Sequence, residues 1–418
     1  MMRKGHWNVL SSVLAGLFIC FLGLSRSLFG GNGNMDISAT TISRSMGGTG
    51  VAYYTSEIDA LSENPALMSQ SMAPLGSSVA HLSIEAFFVN VQLTNGFTDQ
   101  YYKNEIDKAF LPTVGYFYNF SEKIKFGLGL FLVSSSGADF SDTPEMNKLE
   151  GSVTSMKASP SFSYKVLENL DIGLGPQIYY TQAKVNMIPP GATTKTDNPG
   201  GTSINYGIQI GSYYRMDDAL SFGVNYSTGA KAKIKKYTDI DADGTVDDVE
   251  IGVPSDYSLA VSYKLKELKL GSTFEYKCVQ WSSTTFYKDL GWINSNVLAL
   301  GLEYFFDDSW IFRGGFNYAK HPMQNVSGEN GAETAKIGKY TVSKAAISSL
   351  NTGGHNAAEE HYTFGAGYKI NAMIDAHFAY IYGARSKVAR SGSYLGTPYA
   401  YKEKGYTHQF DVAWNVRF

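Results

Sequence analysis

The C-terminal segment HQFDVAWNVRF, residues 408–418, decides the fold class. Its residues alternate in character, so two sets of side chains lie on opposite faces of an extended strand. One set is apolar (Phe410, Val412, Trp414, Val416 and Phe418), and the other is mostly polar (Gln409, Asp411, Ala413, Asn415 and Arg417). An apolar face backed by Asp, Asn and Arg is typical of a barrel strand that contacts lipid outside and a polar lumen inside.

The same alternation recurs along the chain from Ser77 to the C-terminus. It is clearest at residues 204–210, 220–227, 257–265 and 298–304, with similar patterns at 124–133, 172–181, 362–370 and 374–382. One strand of a soluble sandwich could show this pattern, but about fourteen in succession predict an all-β membrane barrel of antiparallel strands. An even strand number is what bacterial outer-membrane barrels contain.

Short and long connections alternate between these strands. The short turns fall at residues 121–123, 168–170, 216–218, 266–267 and 307–308, and the long polar connections at 94–111, 137–151, 187–201, 238–250, 321–357 and 387–405. In such barrels the short turns face the periplasm and the long loops face outward. Counting from the first strand places Phe418 at the periplasmic end, where we expect the barrel-assembly machinery to recognise it.

Two predicted strands contain a proline, Pro160 and Pro176. Because proline cannot donate a hydrogen bond to the strand ladder, each residue marks a strand end, a bulge or a kink. We expect strand-end bulges, and an opening in the barrel wall is the alternative.

The composition agrees with a membrane barrel. The 418 residues include 29 Tyr, 24 Phe and 43 Gly, which suit aromatic girdles and a lumen lined by small residues. A mean hydropathy of −0.17 leaves no room for several membrane helices. The net charge of −3 gives no positive field that would suggest a nucleic-acid partner.

Residues 1–30 are predicted to be a signal peptide. Arg3 and Lys4 precede an apolar stretch over residues 7–24, and small residues follow it near Ser27. An uncleaved membrane anchor is the alternative, and lipidation at Cys20 is disfavoured by bulky residues before it. After cleavage only Cys278 remains, which excludes a disulfide framework and a cysteine metal cluster. Export without disulfides suits the outer membrane of a diderm bacterium.

Residues 31–76 lie between the signal peptide and the barrel, which spans residues 77–418. They lack regular alternation and are too polar to sit in lipid, although pieces such as residues 57–61 are compatible with helix. A compact segment before a barrel of this width can fold back into the lumen. We therefore predict a small, partly helical N-terminal hatch that plugs the barrel.

The stretch GGTGVAYYTSEIDALSENPAL, residues 47–67, resembles the hatch of the FadL family of outer-membrane transport proteins. That family carries a G-x-G/A segment, an acidic D-A pair and an N-P-A motif in this order. The matching residues are Gly48, Gly50, Asp59, Ala60, Asn64, Pro65, Ala66 and Leu67. Segments of the middle barrel, such as LSFGVNYSTGAKAKIK at residues 220–235, also resemble the family.

The resemblance implies an outer-membrane channel for passive uptake of hydrophobic compounds, long-chain fatty acids or aromatic hydrocarbons. Substrates would bind inside the barrel and leave sideways into the membrane, through a gap made by a kink in the third strand at residues 124–140. Glycines there, including Gly127, Gly129 and Gly137, permit a kink, but no residue demands one. The residues that would hold a carboxylate are not placed by any motif, so the substrate pocket stays unknown.

The resemblance assigns the hatch and its gating to Gly48, Gly50, Asp59, Asn64, Pro65 and Ala66. An Asn-Pro pair favours a turn, because the asparagine side chain bonds nearby backbone groups. A structural turn and a gating element are both compatible with Asn64 and Pro65.

Residues 239–250, DIDADGTVDDVE, match the calcium-loop pattern D-x-D-x-D-G-x5-E. The predicted Ca²⁺ ligands are Asp239, Asp241, Asp243, the Thr245 carbonyl, Asp247 and Glu250. Gly244 supplies the sharp turn. Strands, not helices, flank this loop, and a merely soluble acidic loop is the alternative; bound calcium would stiffen the loop.

No complete catalytic set is found, so we do not expect an enzyme. Asp375 and His377 share an inward face, but lumen hydrogen bonding explains them more simply than catalysis. Other inward charges, expected to form a salt-bridged lining, are Glu275, Lys277, Glu303, Arg313, Arg385, Asp411 and Arg417. The rival functions are a surface adhesin or secretion component on the same barrel and, less so, a water-filled porin. Partners expected besides the substrate are outer-membrane lipids.

Overall fold

The computed structural model describes residues 31–418, except residues 144–147, 189–193, 242 and 352–357 and the side chains of Arg385 and Ser386. The predicted signal peptide, residues 1–30, lies outside the described residues. Within the described part of the chain, no helix combines the length and the apolar composition needed to cross a membrane.

The described residues form twenty β-strands, which we number in chain order. They are β1 (Ser78–Asn95), β2 (Tyr101–Lys103), β3 (Lys108–Tyr118), β4 (Ile124–Asp139), β5 (Glu150–Leu167), β6 (Leu170–Asn186), β7 (Gly201–Arg215), β8 (Leu220–Ser227), β9 (Ala230–Thr238), β10 (Asp247–Val253), β11 (Asp256–Leu265), β12 (Leu270–Val279), β13 (Ser295–Phe305), β14 (Trp310–Ala319), β15 (Val326–Asn330), β16 (Thr334–Ile337), β17 (Tyr340–Ser343), β18 (Glu360–Lys369), β19 (Ile374–Tyr394) and β20 (Thr397–Arg417).

Fourteen of the described strands close into an antiparallel barrel, which confirms the predicted fold class. They are β1, β3–β8, β11–β14 and β18–β20, each paired with its neighbours in chain order. The barrel closes where β1 pairs with β20, in a register that runs from Val79 opposite Arg417 to Asn95 opposite Tyr401. The first strand of the barrel is therefore joined to the last along nearly its whole length.

Alternation along the strands separates a lipid face from a lumen face. In β20, Phe410, Val412 and Trp414 are exposed on the outside, whereas Asp411 and Asn415 are buried inside. Exposed aromatic and aliphatic side chains on an outer-membrane barrel cost nothing, because lipid covers them. The alternating pattern in the sequence thus predicts the correct face for this strand.

The hatch lies inside the barrel as three short helices, α1 (Thr41–Ser45), α2 (Glu57–Glu63) and a 3₁₀ helix η1 (Pro65–Gln70). Helix α2 is capped at its N-terminus by Ser56, whose side chain accepts a hydrogen bond from the Asp59 amide. Its apolar residues Ile58 and Leu61 are fully buried in one cluster with the wall residue Phe117. The hatch is therefore packed against the wall and has its own apolar core.

The long outer connections hold more structure than polar loops would. Hairpins β9–β10 and β16–β17, helix α3 (Lys344–Leu350) and a 3₁₀ turn η3 (Trp281–Ser283) lie in them, and a further 3₁₀ turn η2 (Lys266–Leu268) lies in a periplasmic connection. They contribute to the apolar cluster that contains Trp281, Tyr287 and Trp292. The loops thus cover the outer end of the barrel with a packed aromatic layer.

Pro160 and Pro176 lie inside β5 and β6, contrary to the expected strand-end bulges. The register continues from Ala158 opposite Ile178 to Phe162 opposite Leu174, so the two prolines face each other. Neither proline can donate a hydrogen bond, and the residues between these pairs are not paired across the two strands. The two strands keep their register, and only this short stretch of the ladder is lost.

Candidate functional site

The Asn64 side chain joins two parts of the hatch to each other and also joins the hatch to the barrel wall. Its Nδ2 donates to the carbonyl of Val51 at 2.7 Å and to the carbonyl of Ser212 on β7 at 3.0 Å. Its Oδ1 accepts from the amide of Ala66 at 3.1 Å and so caps η1, in which Pro65 takes the first position. Every polar atom of this fully buried side chain is used. The hatch is held in place here, and these bonds must break if it moves.

Asp59 stabilises the interior of the hatch. Its carboxylate accepts hydrogen bonds from the hydroxyls of Thr55 at 2.8 Å and Ser56 at 2.6 Å, and also from the hydroxyl of Thr40. These donors precede α1 and α2, so one acidic side chain connects the starts of both helices. Asp59 therefore has a positioning role within the hatch.

Gly48 is required by the backbone path of the hatch, and Gly50 packs closely against Glu63, whose Cγ would lie 2.8 Å from a Cβ at that position. Gly48 has a φ of +79°, and a Cβ there would lie 2.5 Å from the Ile37 carbonyl oxygen. The amides of Gly50 and Val51 donate to Oε2 of Glu275 at 3.1 and 3.2 Å. The glycine segment thus brings backbone donors close to an inward carboxylate of β12.

Arg44 in α1 forms a buried charge cluster that sequence reasoning missed. Its guanidinium lies 2.7 Å from Asp36 of the hatch and 2.8 Å from both Glu85 on β1 and Asp411 on β20. Burial raises the pKa of Asp36, and the positive charge of Arg44 opposes that rise. Three carboxylates from the hatch and from two wall strands thus share one cation.

An apolar cavity of about 70 Å³ lies beneath the outer loops. Its walls include Tyr237, Phe286, Tyr287, Met187 and Leu350. The aromatic layer continues behind it, with ring centroids of Tyr287 and Trp292 separated by 4.6 Å. We call this space the outer cavity. Aromatic residues in the outer connections were the only sequence signal for it.

A second cavity of about 70 Å³, the inner cavity, lies between the hatch and the wall. Its lining includes Lys157, Lys277, Glu63 and Asp256 beside apolar residues such as Leu132. Lys277 pairs with Glu63 at 3.6 Å. Lys157 has its Nζ 5.7 Å from the centre of the Phe131 ring, and no carboxylate of the described residues lies within 4 Å of it. Lys157 is thus a cation without an ion-pair partner in the described structure.

The first hatch residues contact both cavities. Asn32 and Met35 line the inner cavity. The Asn34 side chain donates to the Tyr287 hydroxyl of the outer cavity at 3.2 Å, and the Trp281 indole donates to the Asn32 carbonyl at 3.1 Å. The Asn34 carbonyl accepts from the Ser135 amide on β4 at 2.9 Å. This N-terminal segment, residues 31–39, therefore separates the two spaces.

The wall is incomplete between β3 and β4, the second and third strands of the barrel. These strands pair only from Tyr118 opposite Phe126 to Val114 opposite Leu130. Beyond that point β4 continues along β5 through a bulge between Leu132 and Ser134, whereas β3 continues along β1. The ladder between β3 and β4 is therefore open on its outer half.

Two local features mark this break. Val133 is the extra residue of the bulge, since Leu132 pairs with Met156 and Ser134 with the adjacent Ser155. The alternation of buried and exposed side chains along β4 also stops there, because the adjacent residues Phe131 and Leu132 are both buried. On the opposing strand, β3 begins at Lys108, so residues 108–111 belong to a strand and not to the predicted loop 94–111, and Pro112 lies inside that strand. The predicted glycines of β4 do not form the bulge.

Comparison with known proteins decides the family. Residues 30–330 match the profile of the family described as outer membrane protein transport protein (OMPP1/FadL/TodX). The chain belongs to this family. It is accordingly a protein of the outer membrane, as the sequence predicted.

This FadL-family protein aligns with two curated relatives over more than two thirds of its own length and of theirs. It is 20% identical to outer membrane protein P1 of Haemophilus influenzae over 336 residues, which cover 68% of each chain. It is 21% identical to the long-chain fatty acid transport protein of Salmonella typhi over 362 residues, which cover 74% of this chain and 77% of the relative.

Solved structures show the same fold at low identity. A FadL homologue from Pseudomonas aeruginosa is similar with a TM-score of 0.70 at 15% identity, over 92% of this chain and 99% of that one. The toluene transporter TodX of P. putida is similar with a TM-score of 0.64 at 16% identity, over 93% and 99% of the two chains.

The predicted calcium loop of this FadL-family protein forms the turn between β9 and β10. Carboxylate oxygens of Asp239, Asp241 and Asp247 lie within 4.8 Å of one another. Asp239 accepts from the amides of Asp243 and Gly244 at 3.1 and 2.8 Å, and Gly244 has a φ of +91°. The loop thus turns sharply around its first acidic residue.

The remaining predicted ligands are placed differently. The Asp243 carboxylate accepts from the hydroxyl and amide of Thr245 at 2.5 and 2.8 Å, and these hydrogen bonds lower its pKa. Glu250 lies in β10 opposite Lys233, with an exposed side chain. Three of the six predicted ligands are therefore together, and Asp243, Thr245 and Glu250 stand apart from them.

Asp375 and His377 belong to a lumen network of the FadL-family barrel. His377 Nε2 lies 2.6 Å from Asp375 Oδ2, and Asn415 donates to the same oxygen at 2.8 Å. Arg417 also contacts the Asp375 carboxylate. Arg313 binds Glu303 at 2.7 Å close by, so this part of the lining is salt-bridged as predicted. The Arg385 side chain lies outside the described residues.

Proposed function

We propose that this protein takes up hydrophobic compounds passively across the outer membrane, with long-chain fatty acids as the leading substrates. The open ladder between β3 and β4 carries the proposal. The bulged residue Val133 and its neighbour Leu132 also line the inner cavity, so the cavity lies beside the break in the wall. A bound molecule can leave there sideways into the membrane, without passing the hatch into the periplasm.

The two cavities suggest the order of events. The outer cavity, lined by aromatic side chains beneath the loops, would receive an apolar molecule first. The N-terminal segment separates it from the inner cavity, where the molecule would bind before it leaves through the wall. No energy source is needed for this path, because transfer follows the concentration gradient.

The small size of both cavities is the reason why the N-terminal segment acts as the gate in this proposal. Each cavity measures about 70 Å³, far below the roughly 300–1,000 Å³ of pockets that hold drug-sized ligands. A long-chain fatty acid therefore needs the segment to move. Side-chain hydrogen bonds join Asn32 and Asn34 of the segment to Trp281 and Tyr287 of the aromatic layer. Others join Asp36 and Ser38 to Arg44 and Glu63 of the deeper hatch, and these bonds must break when the segment moves. The deeper hatch around Asn64 can stay fixed.

A fatty acid is preferred to a neutral hydrocarbon because of Lys157. Its ammonium group lies in the inner cavity without an ion-pair partner among the described residues, and a carboxylate would provide one. The relatives support both substrate classes, since one is named for long-chain fatty acids and TodX for toluene. They are named for transport, which is why uptake is preferred to the adhesin interpretation.

Uptake of a labelled long-chain fatty acid by proteoliposomes tests the proposal. Deleting Val133 removes the extra residue of the bulge between β4 and β5 and should let β4 run on beside β3, so we expect uptake to be lost. Deleting the exposed Ala332 in an outer connection is the control. Deleting residues 31–39 should instead speed uptake. Unchanged uptake after deletion of Val133 would reject lateral release, and a large ion conductance in the intact protein would favour a porin.

We also propose that the loop of residues 239–250 binds Ca²⁺. The match to the full ligand pattern and the close approach of Asp239, Asp241 and Asp247 support this. Asp243 and Glu250 would turn toward the ion on binding, which would stiffen the β9–β10 hairpin. Calorimetry with CaCl₂ should give heat with the wild type and none with a variant carrying Asp241→Ala and Asp243→Ala. Equal heats from both proteins would reject the site.

A further inference from the structure

The strands at the barrel seam rise above the lipid-facing band. On β20 the outward residues from Val416 to Tyr406 are apolar or aromatic except for the half-buried His408, and the next two outward residues are Lys404 and Lys402. At about 3.3 Å per residue and a tilt of about 40°, residues 406–416 span about 25 Å, the height of the apolar band of such barrels. Lys404 therefore lies about 5 Å above the band, at the level of the outer-leaflet headgroups.

Three lysines and one glutamine align across four neighbouring strands at this level. Lys387 on β19 is opposite Lys404 on β20, Lys404 is opposite Gln92 on β1, and Gln92 is opposite Lys103 on β2. All four side chains are exposed on the outer surface of the wall. We call this set the basic row. Adjacent members are about 5 Å apart, because that is the spacing of paired strands.

A bulge in β19 creates the row. β19 has two residues between Gly383 and Ser386, whereas β20 has one between their partners Thr407 and Gly405. The extra residue reverses which side chains face outward. As a result Lys387 is exposed and Val388 is buried, although even-numbered residues such as Phe378 face lipid lower in the strand.

The charges of the row are not balanced by the protein. Lys103 lies 3.7 Å from Glu105 and 4.0 Å from Asp107, and Lys402 above the row lies 3.7 Å from Asp99. No acidic side chain of the described residues lies within 4 Å of Lys387 or Lys404. Like charges directly opposite in a sheet are unfavourable. An anion from outside the protein would relieve this repulsion.

Below the row lies an aromatic surface that suits acyl chains. The rings of Tyr380 and Phe410 are tilted against each other with centroids 5.1 Å apart, and Phe88 packs edge-on to Phe410 at 6.1 Å. A ligand that contacts both the basic row and this aromatic surface must contain a phosphate group and hydrocarbon chains. Free phosphate would not contact the aromatic surface, and a neutral lipid would not neutralise the lysines.

We propose that the basic row binds the phosphate groups of an outer-leaflet lipid, with its acyl chains on the aromatic surface below. Lys387 and Lys404 hold one phosphate between them, and Lys103 with Gln92 extends the site toward β2. The bound lipid therefore contacts the outer surface of the seam, where β1 and β20 close the barrel. This site lies on the outside of the wall and is independent of the transport path.

Binding of bisphosphorylated lipid A to the full-length protein in neutral detergent, followed by native mass spectrometry, tests the site. A variant carrying Lys387→Gln and Lys404→Gln should bind it at least about tenfold more weakly than the wild type. The matched control carries Lys123→Gln and Lys369→Gln, which remove the same charge at exposed periplasmic positions and should leave binding unchanged. Resistance of the folded barrel to SDS at room temperature verifies folding, and the single variants serve if the double variant does not fold.

Two further probes identify the ligand chemistry. Dephosphorylated lipid A should bind wild type and double variant equally weakly, and 0.5 M NaCl should weaken binding of the phosphorylated lipid because exposed charges are screened. Equal binding of phosphorylated lipid by wild type and double variant would overturn the proposal. Binding of inorganic pyrophosphate as tight as that of the lipid would also overturn it, since the site would then hold a soluble anion.

Discussion

Glu85 and Asp411 face each other across the seam that closes the barrel, and Arg44 of the hatch contacts both carboxylates at 2.8 Å. Without Arg44 the two wall strands would place like charges side by side in a buried position, which is strongly unfavourable. The hatch is therefore part of what holds the first strand of the barrel against the last.

Replacing Arg44 by Met should destabilise the protein by about 3–5 kcal/mol, because the buried carboxylates would lose their cation. Unfolding by guanidinium in detergent, followed by tryptophan fluorescence, measures this. Arg215→Met at an exposed turn is the control and should have little effect. Adding Glu85→Gln and Asp411→Asn to the Arg44 variant should restore part of the loss, and no restoration would show that the effect is not electrostatic.

Replacing Gly211 by Ala should loosen the hatch. A Cβ at Gly211 would overlap Oδ1 of Asn64, so the hatch or β7 must shift, at a cost of about 1–3 kcal/mol. Faster hydrogen exchange at Ala66 and its neighbours is the expected result. Gly314→Ala is the matched control, since the nearest atom to its Cβ would be the Thr363 carbonyl oxygen at 3.7 Å. Equal exchange in both variants would contradict the tight contact.

Replacing Lys157 by Gln should weaken binding of a long-chain fatty acid about tenfold, the size expected for one hydrogen bond to a charged group. Binding of the alcohol of equal chain length should change little, because it carries no charge. Displacement of a fluorescent fatty acid measures both ligands. Lys165→Gln, nearer the periplasmic end of β5, is the control. A similar loss for acid and alcohol would mean that Lys157 acts through packing.

Calcium binding to the loop of residues 239–250 should weaken as the pH falls. Carboxylates ligate Ca²⁺ only when ionised, so protons compete with the metal. Hydrogen bonds from Thr245 lower the pKa of Asp243, so this ligand remains ionised to a lower pH than an ordinary aspartate. Calorimetry at about pH 7.5 and about pH 4 should show binding at the first and little at the second. Affinity that does not change with pH would exclude carboxylate ligands.

The barrel could be predicted because alternation is local. Each strand reveals its lipid face within about ten residues, as residues 408–418 do, and turn lengths then fix the direction of the chain. The hatch was found through a contiguous motif around Asn64. Both depend on residues that are close in sequence.

The site was harder to predict because its contacts join distant residues. Arg44 and Asp411 are 367 positions apart, and an inward arginine does not show which acids it meets. The bulge at Val133 comes from an extra residue relative to β5, which is visible only when both strands are aligned. The outer cavity is built by aromatic residues in connections that look polar on average, so composition concealed it.

The cluster of Arg44, Glu85 and Asp411 also has a kinetic consequence. The hatch and β1 are synthesised first and β20 last, so the charge cluster can form only when the whole chain is present. Closing a loop of this length is slow in comparison with forming a single hairpin. A barrel that closed before α1 entered would bring Glu85 and Asp411 together without their cation. The seam therefore favours folding in which the hatch is enclosed as the barrel closes.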